Sequence, residues 1–179
     1  MTFSVEVTDG VCVRDFEPDD EPVLQEVFAA SGGYFEALNG DGALPGDLQS
    51  LFYAAPEGVS PDTKRILVVE RDTKVIGVLD AVPGHPADDA VAVGVFLLDP
   101  AHRRQGIGSS VLHALFDVAR EQGFRRVAAA TPAGWAPGAA FLAAAGFALE
   151  VSTETTAGVG NRVVHRGEGP ILKAALDIA

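Results

Sequence analysis

The sequence predicts an α/β protein of the α+β kind, with helices packed on the faces of one mixed sheet. Three observations carry that expectation. Short runs alternate apolar and polar residues with period two, longer runs repeat apolar residues every three or four positions, and the two kinds interleave along the 179 residues. At this length, with 47% hydrophobic residues, one domain over residues 1–179 with a packed core is expected.

The elements follow in order. VCVRDF (Val11 to Phe16) alternates like a half-buried strand. Val23, Leu24, Val27 and Phe28 then fall at helical spacing. Asp19 and Asp20 suit the positive end of that helix, Pro22 its first turn, and Gly32 or Gly33 its stop. YFEAL and DLQSLFYAA read as short helices around the turn-rich NGDGALPG. RILVVERD and KVIGVLDAV read as a hairpin turning at Asp72, Thr73 and Lys74.

AVAVGVFLLD (Ala90 to Asp99) is apolar on both alternating faces, as in a central strand covered on both sides, and Gly94 inside it marks a bulge or a close backbone approach. The next helix carries Val111, Leu112, Leu115, Phe116 and Ala119 on one face and closes at Gly123. FRRVAAAT is a strand, PGAAFLAAAGF a helix ending at Gly146, and FALEVST a strand. A polar loop with Arg162, His165 and Arg166 follows, before a last strand in PILKAALDI. Counted from VCVRDF, the sheet has about seven strands.

Asp and Glu number 25 against 13 Lys and Arg, a net charge of -12 that disfavours nucleic acid and anionic membranes and suits a cationic small molecule. A single cysteine, Cys12, excludes an internal disulfide, and no Cys–His cluster has zinc spacing, so no metal is expected. The start, MTFSVEVTDG, lacks the features of a signal peptide, and no apolar run is long enough to span a bilayer. A cytoplasmic location is expected.

Against this acidic background, LLDPAHRRQGIGSSVL places two arginines beside two glycines between a buried strand and an apolar helix. Backbone N–H groups at such a junction converge on one spot that the helix dipole makes favourable for an anion. Gly106 and Gly108 let backbone approach, and Arg103 and Arg104 can add charge-assisted hydrogen bonds, so a pyrophosphate is the expected guest. The run lacks the Gly-Lys-Ser/Thr ending of a nucleotide-triphosphate loop, and Val111 stands where a dinucleotide fingerprint needs its third glycine.

These residues resemble the loop of the GNAT family of acyl-CoA-dependent N-acyltransferases, written Arg/Gln-x-x-Gly-x-Gly/Ala and matched by Arg103, Gly106 and Gly108. Asp99–Pro100 before the loop, the amphipathic helix after it and the Gly-Phe that closes FLAAAGF extend the resemblance over roughly residues 11–151. The resemblance implies a mostly antiparallel mixed sheet that splays between the fourth and fifth of these strands, with helices on both faces. It implies acetyl-CoA as cosubstrate, its pyrophosphate on Arg103, Arg104, Gln105, Gly106, Ile107, Gly108 and Ser109, and its pantetheine arm along Phe96, Leu97 and Leu98. A backbone N–H near the bulge would polarise the thioester carbonyl, and an amine would attack directly.

The proton-transfer groups are less plainly marked. A lysine-like amine of pKa about 10.4 is roughly one part in a thousand neutral near pH 7.4, so a base or a carboxylate-lined water path is needed. Glu36, Glu70, Asp80, His85 and Asp99 are candidates, and Asp80 stands out because an acid inside an apolar strand needs a partner. The tyrosine that in the family protonates the leaving thiolate is replaced by Leu142, and Trp135 stands where the family often has Asn. Tyr34 and Tyr53 are the available phenols, and Tyr34 is the candidate acid.

The expected function is therefore transfer of an acetyl group to a primary amine, with a small cationic acceptor favoured by the acidic composition. A non-catalytic acyl-CoA-binding module and an enzyme acetylating protein N-termini or lysines are the alternatives. Exposed sheet edges at the last strands would allow a homodimer.

Overall fold

The computed structural model describes residues 2–8, 10–152 and 170–179. Its strands are β1 (Ser4–Thr8), β2 (Val11–Asp15), β3 (Arg65–Arg71), β4 (Lys74–Pro83), β5 (Ala90–Leu98), β6 (Arg126–Pro132), β7 (Ala148–Ser152) and β8 (Ile171–Asp177). The helices are α1 (Glu21–Ala30), α2 (Gly32–Asn39), α3 (Asp47–Tyr53), α4 (Ile107–Glu121) and α5 (Ala136–Ala144). All eight strands join one sheet in the order β1-β2-β3-β4-β5-β6-β8-β7, antiparallel throughout except where β5 meets β6. This is the mixed sheet that the interleaved periodicities predict.

Two details differ from the sequence expectation. The sheet has eight strands rather than seven, because Ser4–Thr8 adds an edge strand along β2. Its side chains are only half covered, so SVEVT carries little of the apolar signal of an interior strand. Gly32 and Gly33 do not end a helix: the break falls at Ser31, and both glycines begin α2. At the far edge, β8 inserts between β6 and β7, leaving β7 outermost. The expected loop around Arg162, His165 and Arg166 lies outside the described residues.

The β3–β4 hairpin turns on Asp72 and Thr73, both at positive φ (49° and 68°), the geometry whose twist suits a two-residue antiparallel turn. The sheet is covered on both faces. Leu24, Val27, Phe28, Phe35, Leu48 and Leu51 of α1–α3 pack on Val68, Val78 and Leu97. On the other face, Ile107 and Val111 of α4 meet Val13, Leu67, Val69 and Leu79. Farther along that face, Leu112 and Phe116 join Leu142, Phe147 and Ala174. These layers hold the ends of β5 and β6, where the site is built.

Candidate active site

The two strands of the parallel seam start together and then part. Ala90 to Val93 pair with Arg126 to Ala129, and no residue beyond Val93 is paired with β6. The cause lies in β5. Leu79 faces Phe96 but Ala81 faces Val93, so Gly94 and Val95 together oppose Asp80. The extra residue bends the strand out of register with its parallel neighbour.

The backbone beyond the bulge is directed into the opening. Asp99 N–H donates to Ile76 C=O (2.8 Å), so the 76/99 and 78/97 pairs exchange backbone bonds across β4 and β5. By the alternation of an antiparallel ladder, Phe96 and Leu98 turn their N–H and C=O groups the other way, toward the gap that β6 has left. A cleft fills that gap, lined by Tyr34, Gly94, Phe96, Thr131, Trp135 and Leu142, among others. Phe96 also meets Phe141 edge-on, with ring centroids 5.8 Å apart, so one wall of the cleft is aromatic.

At the outer end of the cleft, the chain passes through a one-turn 3₁₀ helix at Pro100–His102 into the glycine loop. Arg104 and Gly106 both have positive φ (61° and 80°), and Gly106 is the N-cap of α4. Alternation between ordinary and left-handed residues curls successive N–H groups into a concave anion-binding surface. Among the described residues, none of the N–H groups of residues 104–109 is bonded to a protein acceptor. The buried side chain of Ile107 pins the loop to the sheet. At Gly108, an added Cβ would come within 3.1 Å of the Phe141 ring, so helix and aromatic wall touch here only because the side chain is absent. Open N–H groups, a positive helix end and an adjoining apolar cleft together fit a pyrophosphate carrying a pantetheine arm.

The two arginines are used differently. Arg104 and Ser109 are exposed at the loop surface, as is Gln105, whose amide donates to Ala101 C=O (2.9 Å) and accepts from Arg71 (3.1 Å). Arg103 instead turns inward: its Nε donates to Leu98 C=O (2.7 Å), its Nη2 donates to Ser31 Oγ (2.7 Å), and its guanidinium lies 5.6 Å from the Trp135 ring. Burial lowers the Arg103 pKa, with Asp99 partly opposing it. The Leu98 carbonyl it holds is one that the ladder turns toward the gap, so Arg103 closes off this end of the open strand.

Asp80 has the partner that its place in an apolar strand calls for. One oxygen accepts the Val95 N–H and the other lies 2.8 Å from Lys64 Nζ, with both side chains 4% exposed. Lys64 also donates to Ala54 C=O (2.9 Å), tying the bulge to the chain after α3. Tyr34 is buried in α2, edge-on to Phe35 and to Trp135 (centroids 5.0 and 5.2 Å). It borders the cleft and also a second cavity on the α1–α3 side, whose lining includes Phe28, Phe35, Asp47, Ser50 and Lys64. Tyr34 thus lines both cavities. Tyr53, by contrast, is 75% exposed, and Leu142, which the sequence resemblance sets at the family's tyrosine position, is buried in the cleft wall.

Sequence reasoning did not single out Lys64, Ser31 or Thr131. A lysine just before an apolar strand, with an aspartate inside the next strand, was a usable signal for the Lys64–Asp80 pair. Nothing in the sequence marked Ser31. Thr131 stands near the end of an alanine-rich strand and reads as an ordinary β residue, yet its hydroxyl is buried in the cleft wall without a hydrogen-bond partner.

Comparison with known proteins agrees with this fold. Residues 33–147 match the model of the acetyltransferase (GNAT) family, and the chain belongs to that family. An acetyltransferase from Thermus thermophilus is similar in structure, with TM-score 0.68 and 23% identity over 97% of this chain and 99% of that one. So is an acetyltransferase from Salmonella typhimurium that modifies the N-terminal serine of a 50S ribosomal subunit protein (TM-score 0.69, 15% identity, 99% and 100% coverage). The yncA protein of Salmonella typhimurium, solved with its cofactor acetyl-CoA, aligns at TM-score 0.63 and 19% identity, covering 95% of each chain. A comparison with curated protein sequences gave no match. No helix among the described residues is long and apolar enough to cross a membrane.

Proposed function

We propose that residues 1–179 act as one acetyltransferase domain that passes an acetyl group from acetyl-CoA to a primary amine, in a complex holding both substrates at once. The observation that carries this reading is the opening of β5 from β6 beyond Val93, continuous with the unbonded N–H groups of residues 104–109. Residues 104–109 would hold the pyrophosphate, and Phe96 to Leu98 the pantetheine arm. Bound there, acetyl-CoA supplies an activated thioester.

The chain's own groups then divide the work. Backbone N–H groups beyond the bulge polarise the thioester carbonyl. Tyr34, bordering both cavities, carries the proton between them: its hydroxyl gives a proton on the thiol side and takes one from the amine on the other. Asp80 acts by holding the bulge, since Lys64 and the Val95 N–H engage both of its oxygens. The amine would enter by the second cavity, where Asp47 is the carboxylate and Phe28 and Phe35 supply apolar walls. The Asp47 carboxylate in this lining supports a small cationic acceptor, since the lysine that shares the cavity, Lys64, is already paired with Asp80.

Calorimetric titration with acetyl-CoA, beside adenosine 3′,5′-bisphosphate as a fragment lacking the arm, tests the cofactor half of this proposal. Acetyl-CoA should bind more tightly than the fragment, and a panel of small amines should then release free thiol. Equal binding of both ligands would remove the cleft from the account. Release with peptides but not with small amines would move the acceptor to a protein.

A further inference from the structure

Thr131 is 5% exposed and is the next-to-last residue of β6, beyond the point where that strand parts from β5. Its backbone is held in the ladder with Leu172 of β8, but its Oγ1 has no hydrogen-bond partner. A buried hydroxyl left unpaired is costly, and such atoms in native structures ask for an explanation. The surroundings supply one. Thr131 lines the cleft together with Leu142, the position where the family places its phenol, and with Tyr34 and Trp135. Gly138, in the first turn of α5, packs against the hydroxyl so closely that a Cβ there would collide with Oγ1. The positive end of α5 therefore adjoins the same spot, and negative charge is favoured there.

Resting on the reading of the cleft as an acetyl-CoA site, we infer that the Thr131 hydroxyl hydrogen-bonds the cofactor sulfur and stabilises it as the thiolate leaves. The bond balance is simple. The amine nitrogen forms a bond to the acetyl carbon, the carbon–sulfur bond breaks with its electron pair staying on sulfur, and the nitrogen gives up one proton as the sulfur takes one up. Thr131 donates a hydrogen bond to the sulfur throughout and is not itself deprotonated. With its pKa near 8.5, a thiol is half ionised only above neutrality, so a fixed donor beside the sulfur favours the leaving form. This hydroxyl takes over part of the task left by the aliphatic side chain of Leu142.

The test compares wild type with Thr131→Val, which keeps the shape and removes the hydroxyl, and Thr131→Ser, which keeps the hydroxyl. The primary readout is the pKa of enzyme-bound CoA thiol, from its ultraviolet thiolate absorbance against the complex with desulfo-CoA. The bound thiol should titrate about one unit lower in wild type and in Thr131→Ser than in Thr131→Val, and turnover of Thr131→Val should fall about ten-fold. Thr131→Val should melt at or above the wild-type temperature, because it removes an unpaired polar atom. Identical thiol titrations in wild type and Thr131→Val, with CoA bound by both, would overturn the role of Thr131 and leave the cofactor site standing. A clear fall in the melting temperature of Thr131→Val would overturn it too, by showing that the hydroxyl has a structural partner. Absence of CoA binding in wild type would instead remove the site and this inference together.

Discussion

The two halves of the β5–β6 seam are made of the same strands and behave oppositely. From Ala90 to Val93 the strands are zipped in parallel, with small and β-branched side chains between the layers; from Gly94 on they diverge and leave backbone groups directed into a cleft. The difference is not a matter of apolar content, since both halves are apolar. It comes from one extra residue at Gly94–Val95 and from the carboxylate that fills the resulting gap in the ladder. An open strand edge inside a protein is costly because its hydrogen-bonding groups lack partners. Here a buried Lys64–Asp80 pair holds the opening on one side, Arg103 closes its outer end, and a ligand backbone completes the proposed pairing.

This contrast can be broken most severely at the ion pair. Asp80→Ala leaves Lys64 charged and buried beside an unsatisfied Val95 N–H, and should cost about 3–5 kcal/mol in urea unfolding. Replacing both partners, Lys64→Met with Asp80→Leu, should recover most of that stability while still weakening acetyl-CoA binding, because the bulge loses its anchor. Full binding by the double variant would show that the opening needs no carboxylate.

At the loop, Gly106→Glu should reduce acetyl-CoA affinity at least about 100-fold, or roughly 2.7 kcal/mol. Gly106 has φ 80°, and a carboxylate there would face the phosphates. Calorimetry with the variant measures the effect, and circular dichroism should show an unchanged fold.

A control lies at the far side of the sheet, where Arg14 grips Asp20 with two bonds (2.8 and 2.9 Å) and Glu70 with a third (2.9 Å). The Arg14 hydrogen bonds hold the Asp20 carboxyl below its usual range, against an opposing effect of burial. Its stabilising contribution is therefore complete above the unfolded carboxylate pKa of about 3.9, and is lost as the pH falls through the lower folded value. Asp20→Asn should cost about 2 kcal/mol near neutrality and less in strong acid, read from melting curves across that range. Acetyl-CoA affinity should not change, which would confine the opening's energetics to the seam.

The smallest effect is expected at Arg103. Arg103→Lys keeps the charge but loses the fork that spans Leu98, Ser31 and Trp135, and should cost about 1 kcal/mol and a few-fold in affinity.

How far the sequence discloses this arrangement depends on whether backbone or side chains do the work. The loop is legible because its proposed role rests on glycine, on a helix start and on a preceding strand, all of which leave local patterns; Gly94 likewise marks the bulge. The α1–α3 wall is legible only as short helices. Its role depends on Ser31, Lys64 and Tyr34 meeting residues far along the chain, and no local spacing encodes such meetings. Two arginines side by side look equivalent in sequence, yet one is exposed on the loop and the other is half-buried against Trp135. The edge strand β1 escapes notice because half-exposed alternation over five residues resembles an ordinary polar stretch.

The insertion of β8 between β6 and β7 bears on how the molecule is made. During synthesis, β6 emerges with β5 as its parallel neighbour, while its other edge waits for residues 171–177. Until they arrive, the strand that carries Thr131 offers a row of unsatisfied donors and acceptors to any passing extended chain. The cleft wall thus waits for β8, and a nascent chain halted before it would present an open strand edge beside the cleft.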